Sequence, residues 1–410
     1  MAPFPKSFCP PALPDVVAAA YPDRTLLTVR AYIANRENAT TATSYTSDGY
    51  SIQVTFVAAE PPGLSHICVH FPEDPELFMA PRVVATQGNL ILLAVCIGSD
   101  PVELTIDNFI YSVDDSDGGG QAPPSLDLLP DPGHDISRAC VGLVPSSRPG
   151  GTYSVVTLSP DDIGAMRFNL CVHHEKTGLW RTKTVYRKPS HADDGNHGLK
   201  PIIPFFPTKV IWLQGSTVAW VDIRRGVVLC DVLDDNKDPV ADYIPLPEPL
   251  NGKNKEALES PGDPAFFRDV IGKQGSIKFV EMEYRYDPDF VPCGWKAVTR
   301  SWTVGSSEEG WRTDSVVDFT DVLENSAGML SSLLCLEDSS SRSGGVLVGF
   351  KNVPLFSPTL CERDSVLYLM SKPNHRKAGG SVVAVDTSSN GYARGHDQPG
   401  PALERPNARS

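Results

Sequence analysis

The stretch Val210 to Leu250, VIWLQGSTVAWVDIRRGVVLCDVLDDNKDPVADYIPLPEPL, decides how the whole chain is read. One apolar run ends at Asp222, turns through Arg224-Arg225-Gly226 and returns as a second apolar run, Val227 to Val232. An acidic residue stops a strand and glycine supplies the tight bend, so the pattern is strand, turn, strand. Trp220 and Asp222 lie two residues apart and share a strand face. Trp220 is therefore expected to pack the sheet, and Asp222 to hold the turn.

The same grammar extends outward as two-residue alternation, the mark of half-buried strands. Ile52, Val54 and Phe56 alternate with Ser51, Gln53 and Thr55. Ile67, Val69 and Phe71 stand opposite His66, Cys68 and His70, and Leu27, Val29, Ala31 and Ile33 alternate with Thr28, Arg30 and Tyr32. Between Ile277 and Tyr286 the apolar parity changes after Phe279, which predicts a bulge or a bend in the strand. Helical periods are few. Asp263 to Gly272 has an Asp cap and Pro264 in its first turn. The preferred reading there is a hairpin, with Arg268 to Ile271 turning through Gly272 to Gly275 into the strand at Ile277.

Apolar strands repeatedly end at an acid followed by a turn: Glu60, Asp114, Glu175, Asp222, Asp287, Asp338 and Asp386, with a mean spacing of about 54 residues. A strand-built repeat of about 40–50 residues points to propeller blades. The expected fold is all-β, a propeller-like array of antiparallel sheets with six to seven blade-like units and few short helices; a β-sandwich or mixed sheet array is the alternative. Residues 1–23 read as an N-terminal extension, 24–386 as one β-rich body with its core motif at 210–285, and 387–410 as a disordered polar tail. Residues 114–125, 191–198 and 337–345 read as exposed loops.

The 410 residues carry 36 Lys and Arg against 50 Asp and Glu, a net charge of −14. That balance argues against a general binder of nucleic acid or anionic membrane, because nonspecific phosphate affinity needs a basic surface. No apolar stretch approaches the roughly 20 residues that span a bilayer, and the N-terminus does not read as a secretory signal. The nine cysteines are widely spaced, and most lie in apolar runs. They read as reduced core residues, which suits the cytoplasm or nucleus.

From Val210 onward the sequence resembles the plant domain-of-unknown-function 1618 family, expanded in grasses. Trp220, Val221, Asp222, Gly226, Leu229, Cys230, Asp231, Pro245, Leu246 and Pro247 fit its central signature. Arg36 to Ala42, FFRDV (266–270), IKFVEME (277–283), Gly294 to Ala297, VLYLMSK (366–372) and VVAVD (382–386) extend the likeness along most of the chain. The resemblance implies a β-rich, propeller-like body with no attached enzymatic activity. Some relatives carry an N-terminal F-box; the proline-rich residues before Asp15 do not read as one. After the last Val-Asp the family's usual Arg-Asn-Lys-Thr-Leu strand is missing, which puts the final strand and any closure of the array in doubt. The motif residues Trp220, Asp222, Gly226, Cys230, Asp231, Pro245 and Pro247 are expected to be structural.

No catalytic, cofactor or metal site is assigned. Cys171, His173, His174, His191 and His197 invite a zinc reading, but His174 points away from the first two, and a structural zinc needs four convergent ligands. Asp231, Asp234, Asp235, Asp238 and Asp242 lack calcium-loop spacing, as do Asp114 to Gly118. Nucleotide-binding and hydrolase motifs are missing from the sequence. Six tryptophans, at 180, 212, 220, 295, 302 and 311, read chiefly as packing between blades. The expected role is a non-enzymatic module with an unidentified protein partner. The alternative is a hydrolase or lyase with its site at a central opening, and a third is a duplicated copy with little retained function.

Overall fold

A computed structural model describes residues 22, 24–100, 103–113, 123–131, 141–145, 153–162, 167–175, 177–187, 205–233, 238–288, 292–306, 310–322, 355–362, 364–371, 380–388, 391–398 and 407–409. Their regular secondary structure is nearly all strand. Residues 1–21, the loops 191–198 and 337–345, most of 114–125, and His191 and His197 lie outside the described set. Two compact units emerge, each discontinuous in sequence: residues 1–41, 53–70 and 248–410 form one, and 42–52 and 71–247 the other.

The chain opens with β1 (Thr25–Leu27), β2 (Tyr32–Ile33), β3 (Ala42–Tyr45), β4 (Ser51–Val57) and β5 (Leu64–His70). The alternation expected across Leu27 to Ile33 is split between β1 and β2, and both run parallel to β5. In the second unit β6 (Leu77–Gln87), β7 (Leu90–Ile97), β8 (Thr105–Ser112) and β9 (Ser125–Leu128) form a four-stranded antiparallel meander. Two further meanders follow: β10 (Val141–Pro145), β11 (Tyr153–Asp162), β12 (Arg167–His174) and β13 (Leu179–Arg187), then β14 (Lys209–Gln214), β15 (Thr217–Asp222), β16 (Gly226–Asp231) and β17 (Val240–Pro245). Their last strands pair in parallel, Tyr186 with Val240 and Arg187 with Ala241, fusing eight strands into one sheet. Parallel pairs are a departure from the purely antiparallel array expected.

Each meander in this unit packs face to face with the next. On the β10–β13 sheet, Val141, Leu143 and Val155 point one way and join Ala85, Leu92 and Ile110. Val144, Val156 and Leu158 point the other way and join Val210, Val218 and Trp220. A strand whose successive side chains alternate between two buried faces must be apolar throughout, which explains runs such as VVLC. The approach of β10 to β14 requires a glycine: a Cβ on Gly142 would lie 2.4 Å from a Val210 methyl.

The first unit resumes with helix α1 (Gly252–Glu259) and a single 3-10 turn, Pro264–Phe266. Then come β18 (Arg268–Lys273), β19 (Ser276–Tyr286), β20 (Pro292–Thr303) and β21 (Arg312–Asp318), and a last meander of β22 (Leu355–Leu360), β23 (Val366–Ser371), β24 (Gly380–Asp386) and β25 (Gly391–Gln398). The hairpin read at Arg268 to Ile277 is present, preceded by the Asp263 cap, whose carboxylate accepts from Ala265 N at 2.9 Å. Helix α1 was not expected. Its polar sequence has no apolar stripe, and its start is marked only by Asn251, whose side chain accepts from Asn254 N.

Two further expectations are corrected. The parity change after Phe279 is not a bulge: β19 keeps continuous register with β20 from Ser276 to Arg285, and the shift comes at Arg285/Tyr286. Both faces of β19 are covered, so Val280 and Met282 are buried on one face while Phe279 and Glu281 are buried on the other. The stretch 387–410 is not simply a disordered tail. Residues 391–398 form β25 beside β24, and β26 (Asn407–Arg409) pairs antiparallel with β1.

The acidic repeat does not keep one phase within the meanders. Asp222 ends the second strand of its meander, whereas Asp386 ends the third. The structural repeat is the meander itself, whose first strands begin at Leu77, Val141, Lys209, Arg268 and Leu355.

Candidate functional site

In the second unit the central motif forms the β15–β16 hairpin, with Asp222 opposite Gly226. Asp222 is 1% exposed. Its carboxylate accepts from Arg224 N at 3.0 Å, from Phe206 N at 3.1 Å and from the Arg225 guanidinium at 3.0 Å. Charge-assisted bonds of this kind hold a turn firmly, and they occupy the oxygens that a general base would need. Gly226 lies under Tyr243: an added Cβ would fall 2.5 Å from the ring. Pro245 stands opposite Gly226 in the neighbouring strand. Pro247 is half-buried.

Trp220 is fully buried in the apolar layer with Val228 and Cys230. Burial, then the charges of Asp231 and Asp242, push the Cys230 thiol up to about 12. It is a protonated core group at neutral pH and a poor nucleophile. Asp231 is exposed and caps Leu233 N at 3.4 Å. The seven motif residues lie along β15, β16 and β17 and the two residues that follow β17.

The densest polar constellation lies in the first unit, within the FFRDV and IKFVEME stretches. Arg268 faces Glu281 across β18 and β19, and their side chains are 1% and 0% exposed. Arg268 Nε and Nη2 both donate to Glu281 Oε2, at 3.0 and 2.7 Å. Glu281 Oε1 accepts from Leu250 N at 2.8 Å and from Asn254 Nδ2 at 2.6 Å. One carboxylate thus ties α1 to the sheet. Asp269, pointing to the opposite face, accepts from Leu360 N at 3.1 Å and links β18 to β22. Sequence reasoning quoted both stretches without seeing the pair. The available signal was charge inside two otherwise apolar strand runs, Arg268 and Asp269 in one and Lys278, Glu281 and Glu283 in the other, and a buried charge requires a partner.

Among the described residues, His66, His173 and five of the cysteines are buried. His66 and Cys68, read as the polar side of β5, are 0% and 1% exposed. Burial and then the Arg36 charge bring the His66 imidazole down to about 4, while burial raises the Cys68 thiol to about 11. The two are a neutral pair rather than an ion-pair nucleophile. Tyr32 sits edge-on to His66 with ring centres 5.0 Å apart. Cys171 lies 3.4 Å from the Thr182 hydroxyl, His173 packs 5.1 Å from the Trp180 ring, and His174 contacts Ser154 Oγ at 3.1 Å on the other face. Among the described residues no three His, Cys, Asp or Glu side chains converge as a metal site.

The tryptophans divide by role. Trp220 and Trp295 belong to apolar cores, and Trp180 and Trp212 pack against such cores. Trp302 and Trp311 instead form an edge-on pair 5.8 Å apart, with Trp311 5.9 Å from Phe279.

The family model described as "Protein of unknown function (DUF1618)" matches residues 220–368, which span the central hairpin, the Arg268–Glu281 pair and part of the last meander. This supports the family resemblance over that part of the chain. No curated protein matches the chain. Among solved structures, the chain is similar to Kuenenia stuttgartiensis hydrazine synthase, at 11% identity over 87% of this chain and 79% of that one, with a TM-score of 0.33. Likeness at that level carries no argument about activity. No helix among the described residues is long and apolar enough to cross a membrane.

Proposed function

We propose that the chain is a non-enzymatic protein-interaction module of the plant family it resembles, working in the cytoplasm or nucleus. Its meanders serve as the blades of a propeller-like body, with the β1, β4 and β5 sheet as a further blade. The supporting observation for the blades is the face-to-face packing of successive meanders in the second unit, with β10–β13 buried on both sides.

The observation that carries the non-enzymatic reading is the use of the motif charges. Asp222, Asp269, Glu281 and Arg268 are all buried, and all are engaged with turns, strand ends or one another. Such groups fix a framework, and recognition is then left to the connecting segments, which tolerate variation. The partner is a protein. The acidic net charge disfavours nucleic acid and anionic membrane.

The test is affinity purification of the tagged full-length chain from plant cells. Variants with shortened 114–122 and 337–345 segments are compared with the parent. A reproducible partner that both the parent and a surface-charge control retain, and that the shortened variants lose, supports the module. Turnover abolished by substituting a loop acid or histidine would overturn it.

A further inference from the structure

One face of the β18–β21 sheet gathers two guanidinium groups beside one buried carboxylate. Arg268, Phe279, Glu281 and Arg300 share this face: Arg268 stands opposite Glu281, and Phe279 stands opposite Arg300. Both oxygens of Glu281 are occupied, one by Arg268 twice and the other by Leu250 N and Asn254. With four donors on it, the carboxylate is close to its accepting capacity. Glu248 lies close enough to act electrostatically on Arg268, but it is exposed.

Arg300 is left over. Its Nη1 is buried and finds no acceptor among the described residues. A guanidinium cannot discharge by losing its proton, so this donor requires an acceptor from elsewhere. The surroundings are aromatic. The Arg268 guanidinium lies 5.3 Å from the Phe279 ring centre, Trp311 is 5.9 Å from Phe279, and Trp302 is 5.8 Å from Trp311. Arg300, Trp302 and Trp311 are each half-buried, so the arrangement keeps an open side. A planar donor fork beside a low-dielectric aromatic wall suits a planar or tetrahedral oxyanion, and weak hydration makes arginine the residue for such a place.

We propose that Arg300, with Arg268 behind it and Phe279, Trp302 and Trp311 as its wall, is a binding site for an oxyanion, the carboxylate or phosphate group of a ligand. This inference does not rest on the interaction-module reading.

Trp302 and Trp311 supply the readout. The purified full-length chain is titrated with potassium phosphate and, separately, with potassium malonate, against potassium chloride at matched ionic strength, following tryptophan fluorescence and thermal melting. A saturable change with phosphate or malonate but not chloride is expected, and the tighter of the two identifies the group. Arg300→Leu is expected to weaken the response about 10- to 100-fold, the loss typical of a charge-assisted hydrogen bond. Should that variant not fold, Arg300→Lys keeps the charge without the fork and is expected to bind more weakly than the parent. No saturable change with either anion in the parent overturns the proposal, as does an undiminished response in a folded Arg300 variant.

Discussion

Arg268 and Glu281 face each other from adjacent strands, both out of contact with water, joined by two hydrogen bonds of 3.0 and 2.7 Å. Because Glu281 also accepts from Leu250 N and Asn254, the pair couples helix α1 to the sheet as well as closing a charge. A buried pair of this type adds little net stability over apolar residues, but removing one member strands the other.

Arg268→Met and Glu281→Gln are each expected to cost about 3–5 kcal/mol. The double variant Arg268→Met/Glu281→Gln is expected to cost clearly less than the sum, since no charge is then left alone. Urea unfolding of the three variants measures this. Additive costs would show that the two side chains are energetically independent.

Gly226 is required by contact, not by backbone conformation, because the Tyr243 ring occupies the space of its absent side chain. Gly226→Ala is expected to destabilise the chain by about 1–3 kcal/mol, as overpacking does. In a Tyr243→Ala background the added methyl should cost far less. Equal costs in both backgrounds would rule out the ring as the cause.

His66 makes the fold acid-sensitive. Its imidazole titrates near 4 in the folded chain, mainly because of burial and secondarily because of Arg36, against about 6.5 when unperturbed. Between those values the unfolded chain binds a proton that the folded chain refuses. Stability is therefore retained above about pH 6.5 and falls as the pH drops toward 4, by on the order of 3 kcal/mol from this group. His173, lowered by burial, acts with the same sign. Replacing His66 by Phe should flatten the loss of melting temperature between pH 6.5 and 4.5. An unchanged slope would assign the acid sensitivity elsewhere.

The C-terminal strands make a graded prediction. Deleting 399–410 removes β26 and its three pairings with β1, and a modest fall in melting temperature is expected. Deleting 387–410 also removes β25 and leaves β24, with Val382, Val383 and Val385 buried around it, as a bare sheet edge. Unpaired edges recruit other chains, so this shorter chain should aggregate or lose cooperative unfolding. Light scattering and thermal melts distinguish the two. A soluble 1–386 chain melting like the parent would contradict the pairing.

Much of the β character was legible from residues alone, since alternation and turn chemistry are local. Ile52, Val54 and Phe56 mark β4, and Asp222 with Gly226 marks a hairpin, because a strand's faces and a tight turn are set within a few residues. What misled was coverage. His66 read as part of the polar side of its strand, and the apolar switch after Phe279 read as a bulge or a bend, because a single sequence does not reveal that a second layer covers both sides of a strand. Helix α1 was invisible for the complementary reason: Asn251 caps it, Glu281 binds Asn254, and only Ala257 and Leu258 pack against the core, too few to make an apolar stripe.

The sequence by itself determined many of the strands and hairpins, which are properties of near neighbours along the chain. Only the tertiary structure decided that Arg268 meets Glu281, that Arg300 Nη1 finds no acceptor among the described residues, and that β26 returns to β1. The Arg268–Glu281 and Arg300–Phe279 pairings depend on strand register, and a shift of one residue would send each side chain to the opposite face. The return of β26 to β1 joins residues at least 380 positions apart, a distance across which local chemistry carries no information.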